Sequence, residues 1–93
     1  MIEMKLGERE LSKLRWRCRR GLLENDLFIQ RFFHRHEETL TTRQAAGLQA
    51  LMDLSDNDLL DLLLARKEPA GVAELPDVPE VREVLAQLRL RPN

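Results

Sequence analysis

Apolar residues recur at helical spacing in five successive segments of this chain, each bounded by a start or stop signal, and no convincing strand interrupts them. The first segment runs from about Glu8 to Cys18, with Leu11, Leu14 and Cys18 on one face. Gly21 is expected to stop it as a left-handed residue just past the helix end. The second runs from about Leu22 to Glu38. Its apolar set (Leu22, Leu23, Leu27, Phe28, Ile29, Phe32, Phe33) wraps more than half the helix, which predicts a central helix touched on several sides. Thr41 followed by Gln44 is a capping-box pattern with Leu40 placed as a hydrophobic staple, so a third helix starts there and turns Ala45, Leu48, Leu51 and Met52 inward. Ser55-Asp56-Asn57-Asp58 caps a fourth. Leu59, Leu60, Leu62, Leu63 and Leu64 form its core, and Arg66-Lys67 close it with the right sign of charge. Pro69, Gly71, Pro76 and Pro79 punctuate the next connection. The fifth helix spans about Glu80 to Leu90, with Val81, Val84, Leu85 and Leu88 inward. The expected fold is all-α, a compact five-helix bundle in a single domain over residues 1–93, with 1–7 as a flexible N-terminus.

A chain of 93 residues rarely divides into two cores. At 43% hydrophobic and 33% charged it is a globular composition, not a disordered one. The net charge of −1 is unevenly spread. Residues 1–20 hold seven basic and three acidic side chains; residues 21–93 hold eight basic and thirteen acidic. Such a dipole orients against a partner without attracting polyanions indiscriminately. One cysteine, Cys18, excludes an intrachain disulfide and a metal-binding cysteine pair. Flanking arginines would lower the pKa of an exposed thiol, yet Cys18 continues the apolar series of the first helix and reads as core. No run approaches the roughly 18 apolar residues needed to cross a bilayer, so no direct membrane insertion is expected. The N-terminus lacks the apolar centre of a secretory signal, and Glu3, Glu8 and Glu10 argue against a mitochondrial presequence. A cytoplasmic protein of bacterial type is the expectation.

The sequence offers no case for an active site, so no enzyme is expected. The four glycines form neither a GxGxxG nor a GxxxxGK loop. His34 and His36 are two apart, point to different faces of a helix and cannot share a metal. Glu37-Glu38 and Asp56-Asp58 read as solvated face and cap. A single-strand binder would interleave aromatics with its arginines, and here only Trp16 is available. With a pI near 6.1 as well, no nucleic-acid partner is expected.

What remains is Trp16-Arg17-Cys18-Arg19-Arg20-Gly21-Leu22-Leu23-Glu24-Asn25-Asp26. Five of the eight residues from Lys13 to Arg20 are basic, a density no helix core needs. A turn between two packed helices holds such residues more rigidly than a long loop. Arg and Trp are enriched at the energetic centres of protein interfaces, and Arg20 could fork onto a carboxylate or carbonyl of a partner. Glu24 could brace Arg20 from within or reach across.

This stretch resembles the RGxxE signature of the succinate dehydrogenase assembly factor 2 family, the flavinylation factors. The similarity extends through Leu14-Arg15, the Phe32-Phe33 pair, Leu40, the Ser55-Asp-Asn-Asp-Leu59 start and Pro69. It implies a small five-helix protein that binds the flavoprotein subunit of succinate dehydrogenase, for some members fumarate reductase, and promotes covalent attachment of FAD to a client histidine. No tightly bound cofactor or metal is implied for the chain itself, because the covalent chemistry belongs to client and flavin. Arg20, Gly21 and Glu24 match the motif directly and would form the contact surface, with Arg19, Arg17, Trp16 and Asp26 around them. Family members often carry an aromatic within the fourth helix where this chain has Leu62, and the proline-rich Ala70–Glu80 link and fifth helix also depart from the pattern. A generic helical adaptor or a toxin–antitoxin component is the competing class.

Overall fold

The computed structural model describes residues 4–19, 21–76 and 78–89. All five expected helices are present: α1 (Glu8–Arg17), α2 (Leu23–His36), α3 (Thr42–Met52), α4 (Asp56–Leu63) and α5 (Pro79–Arg89), with one 3-10 turn at Pro69–Gly71. The predicted end of α5 at Leu90 lies outside the described residues. An isolated antiparallel bridge joins Lys5 to Thr41. The Leu6 N–H donates to the Leu40 carbonyl (2.8 Å) and the Thr42 N–H to the Met4 carbonyl (2.9 Å). Residues 4–6 are therefore tied to the α2–α3 connection, while 1–3 lie outside the described residues.

Each start signal in the sequence has its physical counterpart. Thr41 and Gln44 close both bonds of the capping box at 3.1 Å, and Leu40 just before them is buried. Ser55 Oγ accepts the Asp58 N–H at 3.2 Å, satisfying one of the orphan donors of α4. The stops differ from expectation. Gly21 does not take a positive φ. α1 ends three residues earlier, at Cys18 in right-handed geometry with its N–H on the Leu14 carbonyl. The left-handed stop falls instead after α4, on Ala65 at φ 59°. There the Arg66 N–H reaches the Asp61 carbonyl (2.8 Å) and the Ala65 N–H the Leu62 carbonyl (3.1 Å). That pair of bonds is the Schellman arrangement, usually given to glycine.

The core takes Leu14 and Cys18 from α1, Phe28, Ile29, Phe32 and Phe33 from α2, and the leucine faces of α3, α4 and α5. Val81, Val84, Leu85 and Leu88 are all buried as expected. Leu11, Met52 and Leu64 pack only partly, and Leu60 is likewise half-buried. The closest seam joins α3 to α5. A Cβ on Gly47 would sit 2.6 Å from the Glu80 carbonyl oxygen, so only glycine lets the two backbones approach this far. Arg43 spans the same seam, donating to Glu80 and Glu83 at 2.8 Å each. Gln44 Nε2 adds a bond to Glu83 at 3.0 Å. The Arg43 guanidinium, helped by a backbone N–H, holds the Glu80 carboxyl below its ordinary pKa of 4.5.

α2 does not fulfil the expectation of a helix covered on several sides. Leu23 is 67% and Leu27 46% exposed. α2 packs against α4 and α5, and these neighbours cover only the arc running through residues 25, 28, 29, 32 and 33. Leu23 and Leu27 lie beyond that arc and remain bare.

Candidate functional site

α1 carries the basic run to one end of the bundle, where the chain turns into α2. The fold uses one of these residues itself. Arg15 donates to Glu37 at 2.9 Å, and its guanidinium carbon lies 5.8 Å from the centre of the Phe33 ring. Arg17 and Arg19 are exposed, and neither side chain has a hydrogen-bond or ion-pair partner among the described residues. Trp16 is 74% exposed. Arg20 lies outside the described residues. Gly21 is exposed, and a Cβ on it would meet nothing within 4 Å, so its backbone is open to close approach from outside.

The first turn of α2 carries Glu24 and Asp26, both placed favourably toward the helix N-terminus. Glu24 points to solvent and has no partner among the described residues. Asp26 is half-buried and accepts from Gln30 Nε2 at 2.8 Å. Between them Asn25 is 0% exposed. Its Nδ2 donates to the Asp56 carbonyl at 3.0 Å and more weakly to Asp56 Oδ1 at 3.4 Å, while its own Oδ1 has no partner. Asn25 thus clamps the first turn of α2 to the first residue of α4. Its spacing from Phe28, Ile29 and Phe32 places Asn25 on the buried face of α2, a signal already present in the sequence.

The start of α2 divides the expected site residues between two depressions. On one flank a cleft of about 410 Å³ between α1 and α2 is lined by Ser12, Arg15, Trp16, Arg19, Asp26 and Gln30. On the other a groove of about 500 Å³ between α2 and α4 is lined by Glu24, Leu27, Phe28, Arg31, Leu60, Leu64 and Arg66. Trp16, Arg19 and Asp26 are therefore brought together, Glu24 faces the opposite side, and Arg17 and Gly21 line neither.

Cys18 is fully buried, so its thiol cannot meet a substrate. His34 is exposed, and the His36 ring lies 5.0 Å from that of Phe32. Among the described residues no three His, Cys, Asp or Glu side chains gather where they could hold a metal ion. No helix among them is long and apolar enough to cross a membrane. Charged side chains of both signs without partners among the described residues, an exposed indole and bare leucines surround the start of α2 in this all-α bundle.

Comparison with known sequences makes that class specific. The family described as "Flavinator of succinate dehydrogenase" matches residues 12–91, and the chain belongs to it. A relative named FAD assembly factor SdhE from Ralstonia nicotianae is 56% identical over 78 residues, covering 84% of this chain and 79% of the relative. One of the same name from Legionella pneumophila (strain Lens) is 38% identical over 64 residues, covering 69% and 81%. Another from Coxiella burnetii is 39% identical over 58 residues, covering 62% and 71%. No solved structure gives a significant match.

Proposed function

We propose that this chain is an assembly factor that binds the flavoprotein subunit of succinate dehydrogenase and promotes covalent attachment of FAD to it. Family membership supports the role. The observation that carries the assignment of the surface is the group of side chains that have no partner among the described residues around the stretch Arg20-Gly21-Leu22-Leu23-Glu24: Arg17, Arg19 and Glu24, beside the exposed Trp16. Arginines and a carboxylate that the fold does not satisfy are held in readiness for groups of another molecule.

The bond to the flavin forms between client and cofactor, and this chain contributes no reacting group. It acts by differential binding. A client conformation in which flavin and acceptor residue are aligned is held against the α1–α2 end, and its population rises in proportion to the extra affinity. The Asn25–Asp56 clamp suits such a role, because a docking surface selects one conformation of its partner only if it keeps its own. Fumarate reductase flavoprotein, a close chemical counterpart, is a second client of the same surface. The factor works on the client in the aqueous phase of the cytoplasm, before the subunit joins its membrane partners.

The decisive experiment mixes the purified protein with FAD and the apo flavoprotein subunit and follows covalent flavin by in-gel fluorescence. Wild type accelerates labelling, and folded Arg20→Ala and Glu24→Ala do not. No acceleration of a demonstrably competent client would overturn the reading.

A further inference from the structure

We propose that α2 pairs with α2 of a second copy of this chain about a two-fold axis, each helix laying its bare ridge into the groove between α2 and α4 of the other. Every group such a contact needs is carried by the face itself, and the pairing stands independently of the assembly role above.

Four residues at helical spacing define the face. Glu24, Leu27, Phe28 and Arg31 fall at i, i+3, i+4 and i+7, and all four line the groove. Along the helix the stripe runs acid, apolar, apolar, base. An antiparallel copy presents it in reverse. A two-fold axis between Leu27 and Phe28 therefore sets Glu24 of each copy against Arg31 of the other, and Leu27 of each over Phe28 of the other. The two charges stand about 10 Å apart along the helix, one at either end of the apolar pair. Neither has a partner among the described residues.

Shape agrees with charge. Leu23 and Leu27, 67% and 46% exposed, are four residues apart and form one ridge standing clear of the protein. Beside it lies the groove of about 500 Å³, whose far wall is Leu60 and Leu64 of α4. Because ridge and groove adjoin on one protomer, the two-fold operation places each ridge in the other's groove, the interdigitation by which helices pack. Arg66, the other cation of the groove, already lies 3.6 Å from Asp61, which leaves Glu24 and Arg31 as the pair to be matched. A net charge of −1 sets little repulsion between whole copies. Burial of the exposed leucines supplies the attraction, and the reversed charges select the antiparallel register. The pairing covers Glu24, so a molecule engaged in it withholds that residue from any third molecule.

The test is sedimentation equilibrium of the full chain, which is expected to pass from monomer to dimer across about a hundredfold range of concentration. Glu24→Arg and Arg31→Glu each set like charges together at both ends of the stripe, so each variant alone should dissociate at least about tenfold more readily. Mixed in equal amounts, the two variants are complementary again and should form a mixed dimer near the wild-type affinity. Leu27→Ser, which removes the apolar contact, should lose the pairing, with far-UV circular dichroism confirming that every variant is folded. Wild type that stays monomeric throughout would overturn the proposal and leave the ridge to a different molecule. A dimer indifferent to charge reversal would overturn it by placing the contact on another face. Two dissociated variants that fail to recombine would overturn the antiparallel register.

Discussion

Along the α3–α5 seam Arg43 is held by Glu80 and Glu83, Gln44 is held by Glu83, and Gly47 closes the backbones together. At the α1–α2 end Arg17, Arg19 and Glu24 have no such partners among the described residues, and Trp16 and Leu23 stand in solvent. The residue types are much the same. In the seam the fold consumes its own charges, and a partner would find little there to bind. At the other end Arg15 and Asp26 are bonded within the fold, while Arg17, Arg19 and Glu24 have no partner among the described residues. Mutations in the two regions should therefore separate stability from activity.

The largest effect on stability is expected from Gly47→Ala. The added methyl meets backbone, not a yielding side chain, so the seam must open, with a loss of about 2 kcal/mol and a melting temperature lower by roughly 10 °C. Thermal unfolding measures this, and flavinylation per folded molecule should be unchanged. A negligible shift would mean the seam is looser than its geometry. Next comes Glu24→Ala, which reverses the pattern. Stability should move by less than about 0.5 kcal/mol while client flavinylation falls about tenfold or more, equivalent to about 1.4 kcal/mol. Loss of activity that merely tracks unfolding would break the comparison.

Ala65→Gly sharpens the distinction from the stabilising side. Relief of the left-handed alanine should raise stability by roughly 0.5–1 kcal/mol, read by urea titration, with no change in activity. Smallest is Arg43→Ala, a partly exposed pair weakened by salt. The folded pKa of Glu80 is lowered by Arg43. The stabilisation this pairing supplies is therefore present above the ordinary pKa of 4.5 and lost as pH falls through the lowered folded value. The deficit of Arg43→Ala against wild type should appear at neutral pH and fade well below pH 4.5. A deficit that persists in acid would mean Arg43 acts through packing.

The helices were legible because caps and periodicity are local: Thr41, Gln44 and Ser55 carry their own instructions. The bareness of Leu23 and Leu27 was not. Periodicity counts apolar residues on a helix but says nothing about how many neighbours arrive to cover them, and α2 has too few on that side. Gly21 misled for a related reason. A glycine near a helix end is the usual left-handed stop, yet α1 had already ended and the stop fell to Ala65, whose identity gives no hint of it. At the candidate site the residues were legible, but their division into two depressions either side of α2 depends on how that helix is rotated, which neighbours from distant sequence decide.

The burial of Cys18 has a kinetic consequence. α1 sinks only Leu14 and Cys18 fully into the core and packs mainly on α3, so it is the element most easily detached. The one thiol of the chain lies at its end and cannot react with a disulfide reagent until α1 lifts away. The rate of thiol modification under native conditions is then a clock for the breathing of the very helix that carries the arginines. Client binding should slow that clock, even where the global unfolding rate does not change.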